Sequence, residues 1–161
     1  MPCRGYRVRT ELNLMFVQYF GLVSVSFEIA ERRLLGLIDG LGESADIAYR
    51  HGEDLLARIG GGEGKVAKTV VLDLGQPTRG DTQTTLPLSW WATGTPFLFP
   101  TMDAELVLAS MGPELTQVGF QGTYKPPIGP VGRVLDNVVF HRYAEASVKH
   151  FVDRVVEGLG G

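Results

Sequence analysis

The last thirty or so residues of the 161-residue chain constrain it most, because they carry one unbroken amphipathic pattern. Phe140, Ala144, Val148, Phe151, Val155 and Leu159 step by four, four, three, four and four, while Arg142, Glu145, Lys149 and Asp153 hold the opposite face. The spacing predicts a helix over about 129–159, with Pro130 suited to its first turn and Gly158, Gly160 and Gly161 to its end. Thirty residues at 1.5 Å each would extend about 45 Å, enough to cross a whole sheet. A helix with one apolar stripe needs a surface to cover, so the question becomes what the rest of the chain supplies.

It supplies strands. Val23, Val25 and Phe27 alternate with Leu22, Ser24 and Ser26, which predicts a first strand over about 20–28. Four more segments with strand character, about 65–74, 82–92, 103–110 and 114–124, are each bounded by glycine or proline, and their spacing favours an antiparallel meander. Val70, Leu72 and Leu74, then Leu86, Leu88 and Trp90, then Ala104, Leu106 and Leu108 share one apolar face; Thr69, Asp73, Thr85, Ser89 and Glu105 make the other face polar.

Between the first strand and these four, the period turns helical. Ala30, Leu34, Leu37, Ile38 and Leu41 are followed, after Gly40, Gly42 and Ser44, by Ile47, Leu55, Leu56 and Ile59. Two short helices are expected, ended by Gly60, Gly61, Gly62 and Gly64. Strand, helical pair, antiparallel strands and long terminal helix make an α+β domain over 16–161, preceded by an N-terminal extension over 1–15.

Composition excludes several classes. Eighteen acidic against fifteen basic residues give a net charge of -3, which does not suit a nucleic-acid binder. The single Cys3 excludes a disulfide framework or a cysteine-based zinc cage and fits a reducing, cytoplasmic setting. No apolar run is long enough to span a membrane. Arg4, Arg7 and Arg9 precede a stretch broken by Glu11, Asn13 and Gln18 without a small-residue cleavage site, so no signal peptide is expected. With 44% hydrophobic and 20% charged residues, the chain has more apolar surface than a ball of its size needs.

The segment Gly119-Phe120-Gln121-Gly122-Thr123-Tyr124-Lys125-Pro126-Pro127-Ile128-Gly129-Pro130 and its continuation through His141-Arg142-Tyr143-Ala144 resemble the strand-to-helix junction of bacterial START-like proteins. Phe99-Pro100-Thr101-Met102-Asp103 resembles a second segment of that group. The START-like superfamily includes polyketide cyclases and Bet v 1-like proteins. The resemblance implies a helix-grip fold, an antiparallel sheet wrapped around the terminal helix, with a cavity between them for an apolar or amphipathic ligand. It leaves the chemistry open. The junction also has a plain structural reading: Pro126 and Pro127 end a strand and Gly129 and Gly132 permit a corner that aims the helix.

Other motifs fail on inspection. Gly60 to Val66 looks like a phosphate-binding loop, but Ile59 and Val66 stand where glycine and Ser or Thr are needed, and a strand follows where a helix should. The chain has no Gly-x-Ser-x-Gly elbow. His141 and His150, nine residues apart on one helix, point to opposite sides, and His51 lies elsewhere, so no metal site is expected. Nor does any motif call for a cofactor.

What remains is a set of cavity candidates: Leu88, Trp90, Phe99, Met102, Leu106, Tyr124 and His141. Each of the large ones has a core-filling alternative, and Trp91 should face outward. Three groups are candidates for acid-base work: His141, Tyr124 and Asp103; Asp103 and Arg142 are also candidates to orient a polar ligand head. Three functions are therefore weighed: binding a hydrophobic small molecule (lipid, polyketide or similar), a cyclase or aromatase-like enzyme, and a noncatalytic protein-interaction module. A homodimer is compatible with each.

Overall fold

The computed structural model describes residues 14–45, 47, 69–93, 101–125 and 137–161. Strand β1 (Met15–Val23) leads through Ser24-Val25-Ser26 into helix α1 (Phe27–Leu37), a 3₁₀ turn (Ile38–Gly40) and further helix at 41–45. Strands β2 (Thr69–Leu74), β3 (Thr78–Arg79), β4 (Gln83–Thr93), β5 (Thr101–Gly112) and β6 (Leu115–Lys125) follow, then helix α2 (Asn137–Gly160).

The first strand thus lies earlier than the 20–28 expected. Ser26 explains the boundary: its Oγ accepts from Ile29 N at 3.4 Å and Glu28 occupies the first turn, so this serine caps a helix instead of continuing a strand. The true strand was hidden because both its faces are apolar. Val17 and Val23 are buried while Phe16, Phe20 and Leu22 stay exposed on the outside, which erases the contrast that period-two patterning needs. Met15, counted above with the extension, is the strand's first residue; expectations for 1–13, the second helix beyond 47, the glycine run and Phe99 lie outside the described residues.

The strands make one antiparallel sheet in the order β1-β6-β5-β4-β2, with β3 paired to β4. Register stacks the inner side chains into rows across the strands. One row runs Met15, Tyr124, Met102, Trp90, Leu72; the next Val17, Gly122, Ala104, Leu88, Leu74; the third Tyr19, Phe120, Leu106, Leu86. The middle row is pinched. A Cβ on Gly122 would sit 2.6 Å from the Ala104 Cβ and 2.9 Å from Asp103 O, so β5 and β6 approach each other there as only glycine allows.

Helix α2 lies along β1 and also touches β6 and α1. It approaches β1 closely at Gly21, where an added Cβ would meet Val156 at 2.9 Å. Ala144, Val148, Phe151, Val155 and Leu159 are buried, as the sequence stripe predicts, joined by Tyr143, Ser147 and Val152. Arg33 of α1 donates to the Leu159 carbonyl, placing a cation at the negative end of the α2 dipole. On the flank towards β1, Lys149 pairs with Asp153 at 2.5 Å and sits 5.3 Å above the Tyr19 ring.

Candidate functional site

Tyr124 and His141, far apart in sequence logic, meet at the start of α2. Tyr124 ends the inner face of β6 with its side chain fully buried, and His141, the fifth residue of α2, lies against it. The Tyr124 Oη is 3.3 Å from His141 Nδ1, and the rings lie nearly parallel, 24° apart. On its far side, His141 Nε2 is 3.2 Å from Glu145 Oε1, one helical turn on. The three groups form a chain from a buried phenol through a half-exposed imidazole to an exposed carboxylate.

The electrostatics of this chain follow from its depth. Burial first, and then the negative charge of Glu145, pushes the Tyr124 phenol up to about 12, so it is a neutral donor across the usual pH range. With a neutral imidazole whose Nε2–H donates to Glu145, the phenol O–H donates to Nδ1. With a protonated imidazole, Nδ1–H donates to the phenol oxygen. The phenol proton then turns to Met15 Sδ, also 3.3 Å away. The site therefore holds a proton in either of two arrangements without losing a hydrogen bond.

The remaining expected site residues divide by sheet face. Leu88, Trp90, Met102 and Leu106 are buried on the inner face with Tyr124. Trp90 stacks on Phe120 at 5.5 Å, and Phe151 from α2 meets both rings edge-on at 5.4 and 5.9 Å. Trp91 faces outward, as expected from its strand position. Asp103 stands on the outer face, where it accepts from Ser89 Oγ at 2.8 Å, and Arg142 lies on the exposed side of α2. The structure thus joins Tyr124 to His141 and leaves Asp103 and Arg142 outside that group. Around Asp103 runs an open groove of about 640 Å³, bordered by Phe16, Asp73, Pro87, Glu105, Gln121 and Thr123. Among the described residues no set of three potential ligands could hold a metal.

Two polar features escaped the sequence reading. Glu145 was placed only on the polar face of α2, although its spacing of four from His141 was a usable signal. The other is Glu31, which takes a buried position in the α1 stripe of Phe27, Ala30 and Leu34. Arg79 Nε and Nη2 reach its carboxylate at 2.9 and 2.7 Å, and Thr84 Oγ1 donates to it at 2.5 Å. Hydrogen bonds from Arg79 first, and then Thr84, hold Glu31 down at about 2 against the opposing effect of burial. This cluster clips α1 to the β3–β4 corner and lies outside the Tyr124 group.

Among solved structures, the chain is similar to a conserved protein from Geobacillus kaustophilus, at 11% identity over 90% of this chain and 95% of that one, with a TM-score of 0.52. The chain has the helix-grip fold. Looser likenesses, at TM-scores of 0.43 and 0.46, are to the Zhui aromatase/cyclase from Streptomyces sp. R1128 and to Ara h 8.0201. The first is 10% identical over 91% of this chain and 93% of that one, the second 13% identical over 90% and 96%. No family model matches the sequence, and neither does any curated protein. The helix-grip architecture implied by the START-like resemblance is the one observed, with the sheet's inner face turned to α2 and Tyr124–His141 at the end where that helix begins. No helix among the described residues is long and apolar enough to cross a membrane.

Proposed function

We propose that this protein binds an apolar or amphipathic small molecule between the inner face of its sheet and α2. One observation carries the reading: the buried aromatic cluster of Trp90, Phe120 and Phe151 shares the inner face of the sheet with Tyr124, whose hydroxyl meets the half-exposed His141, so an apolar interior ends in polar groups. Such a lining, mostly apolar with a few convergent polar groups, is how small-molecule sites are built. The helix-grip fold supports the reading, and the lone cysteine of the chain accords with a cytoplasmic protein. Native mass spectrometry of freshly purified protein tests it. A retained non-peptide mass is expected; no retained mass, together with no uptake of decanoate, decanol or a naphthyl probe, overturns it.

A second reading is favoured by the Tyr124–His141–Glu145 chain itself. If the bound molecule is a reactive polyketide-like carbonyl compound, the neutral phenol would donate a hydrogen bond to the carbonyl oxygen. His141, backed by Glu145, would take a proton from the adjacent carbon. This is a cyclase or aromatase type of chemistry. Turnover of an aromatic-forming substrate that survives unchanged in both Tyr124→Phe and His141→Ala would overturn it.

A further inference from the structure

We propose that the ligand carries a carboxylate, and that Arg154 and Ser147 of α2 hold it; this rests on the binding reading above. Ser147 is buried, and its Oγ has no hydrogen-bond partner. The Nε of Arg154 is buried and unpartnered too, and Arg154 makes no ion pair among the described residues. Folding leaves few buried donors unsatisfied, because each has given up water for nothing. Two on one helix face mark a place where a partner is expected.

The two positions are seven residues apart, so two helical turns bring them to nearly the same face. Side chains lean towards the helix N-terminus, which directs the long Arg154 stem back towards Ser147. That face is turned from β1: Ser147 lies ~140° around the axis from Val152, which packs beside Gly21. It adjoins Phe151, ~40° away, whose ring meets Trp90 and Phe120. Ser147 and Arg154 therefore adjoin, on the helix surface, the residue whose ring enters the aromatic interior.

Both orphaned groups are donors. A hydroxyl can serve many ligands, but a guanidinium N–H without an acid selects an anion, and its planar fork matches a carboxylate. One carboxylate oxygen accepts from Arg154 Nε–H and the other from Ser147 Oγ–H, while the apolar body lies against Phe151 and Trp90. This head-group position is separate from Tyr124 and His141, near the start of the same helix.

Titration calorimetry on the full chain tests the proposal with two matched pairs, decanoate against decanol and 2-naphthylacetate against 2-(2-naphthyl)ethanol. In whichever pair binds, the carboxylate is expected to bind about tenfold tighter or more. Arg154→Gln should remove that preference while leaving alcohol affinity within about twofold, and Ser147→Ala should reduce it about threefold. Thermal melts confirm that each variant is folded; if Arg154→Gln is not, Arg154→Lys replaces it and should lose part of the preference. Alcohols binding as tightly as carboxylates, or a preference that survives the Arg154 variant, overturns this inference and leaves the binding reading standing. Failure of all four probes to bind overturns this inference, and together with no retained mass it overturns the binding reading as well.

Discussion

Trp90 on β4 stacks against Phe120 on β6 at 5.5 Å, reaching diagonally across β5 at the one place where that strand offers only Ala104. The small residues Ala104 and Gly122 leave room for the two rings to meet, and Phe151 from α2 closes on both. The aromatic interior is thus set by what the middle row lacks as much as by the rings.

Loss of a ring here should be costly. Trp90→Ala or Phe151→Ala is expected to destabilise by about 3–5 kcal/mol, the range for truncating a buried aromatic. Gly122→Ala adds only a methyl group, yet that group meets Ala104 Cβ and the Asp103 carbonyl. A loss of about 1–3 kcal/mol is expected from overpacking. Urea unfolding measures all three. A Gly122→Ala variant as stable as the parent would show that β5 and β6 separate without cost.

The Tyr124 phenol makes a prediction at high pH. Its folded value, about 12, lies above the ordinary 10, so between those values the unfolded chain releases this proton first and stability falls as pH rises. Phenolate absorbance near 295 nm should show one tyrosine ionising late, and Tyr124→Phe should remove that step and flatten the alkaline loss of stability. Because burial is the larger cause, Glu145→Gln should move the step down only partway. A full return to 10 in Glu145→Gln would reverse that ranking.

Glu31 makes the opposite prediction at low pH. Its folded value, about 2, lies below the ordinary 4.5, so its contribution is complete above about 4.5 and is lost as pH falls towards 2. Glu31→Gln should lower stability at pH 7 by about 1–3 kcal/mol, as expected when a charge-assisted hydrogen-bond cluster is broken. The variant should also lose less stability than the parent between pH 5 and pH 2. Chemical denaturation at several pH values gives both numbers, and equal acid sensitivity in the two proteins would remove Glu31 from the account.

These groups also show where the sequence was legible. The α2 stripe, the inner residues of β4 and β5, and the antiparallel order were readable because burial there follows a period that one element carries alone. Tyr124 and His141 were each singled out, but their meeting depends on how β6 feeds α2. The Glu31–Arg79–Thr84 cluster had no local signature, since its members come from α1, β3 and β4 and a charged residue inside an apolar stripe looks like a break in it. β1 was misread for the reverse reason: Phe16, Phe20 and Leu22 are apolar where solvent-facing residues were expected.

Ser147 gives the last prediction, and its sign depends on whether the interior is occupied. In the empty protein the buried hydroxyl has given up water without a partner, and alanine is the better helix former. Ser147→Ala should therefore be neutral or stabilising by up to about 1–2 kcal/mol, read as an equal or higher melting temperature. With a saturating carboxylate probe the order changes, because a ligand stabilises in proportion to how tightly the folded state holds it. The parent should then gain more than Ser147→Ala, so the melting temperature of Ser147→Ala relative to the parent should fall as probe is added. A gap independent of probe concentration would mean that the hydroxyl is an unfilled cost of packing α2 and takes no part in binding.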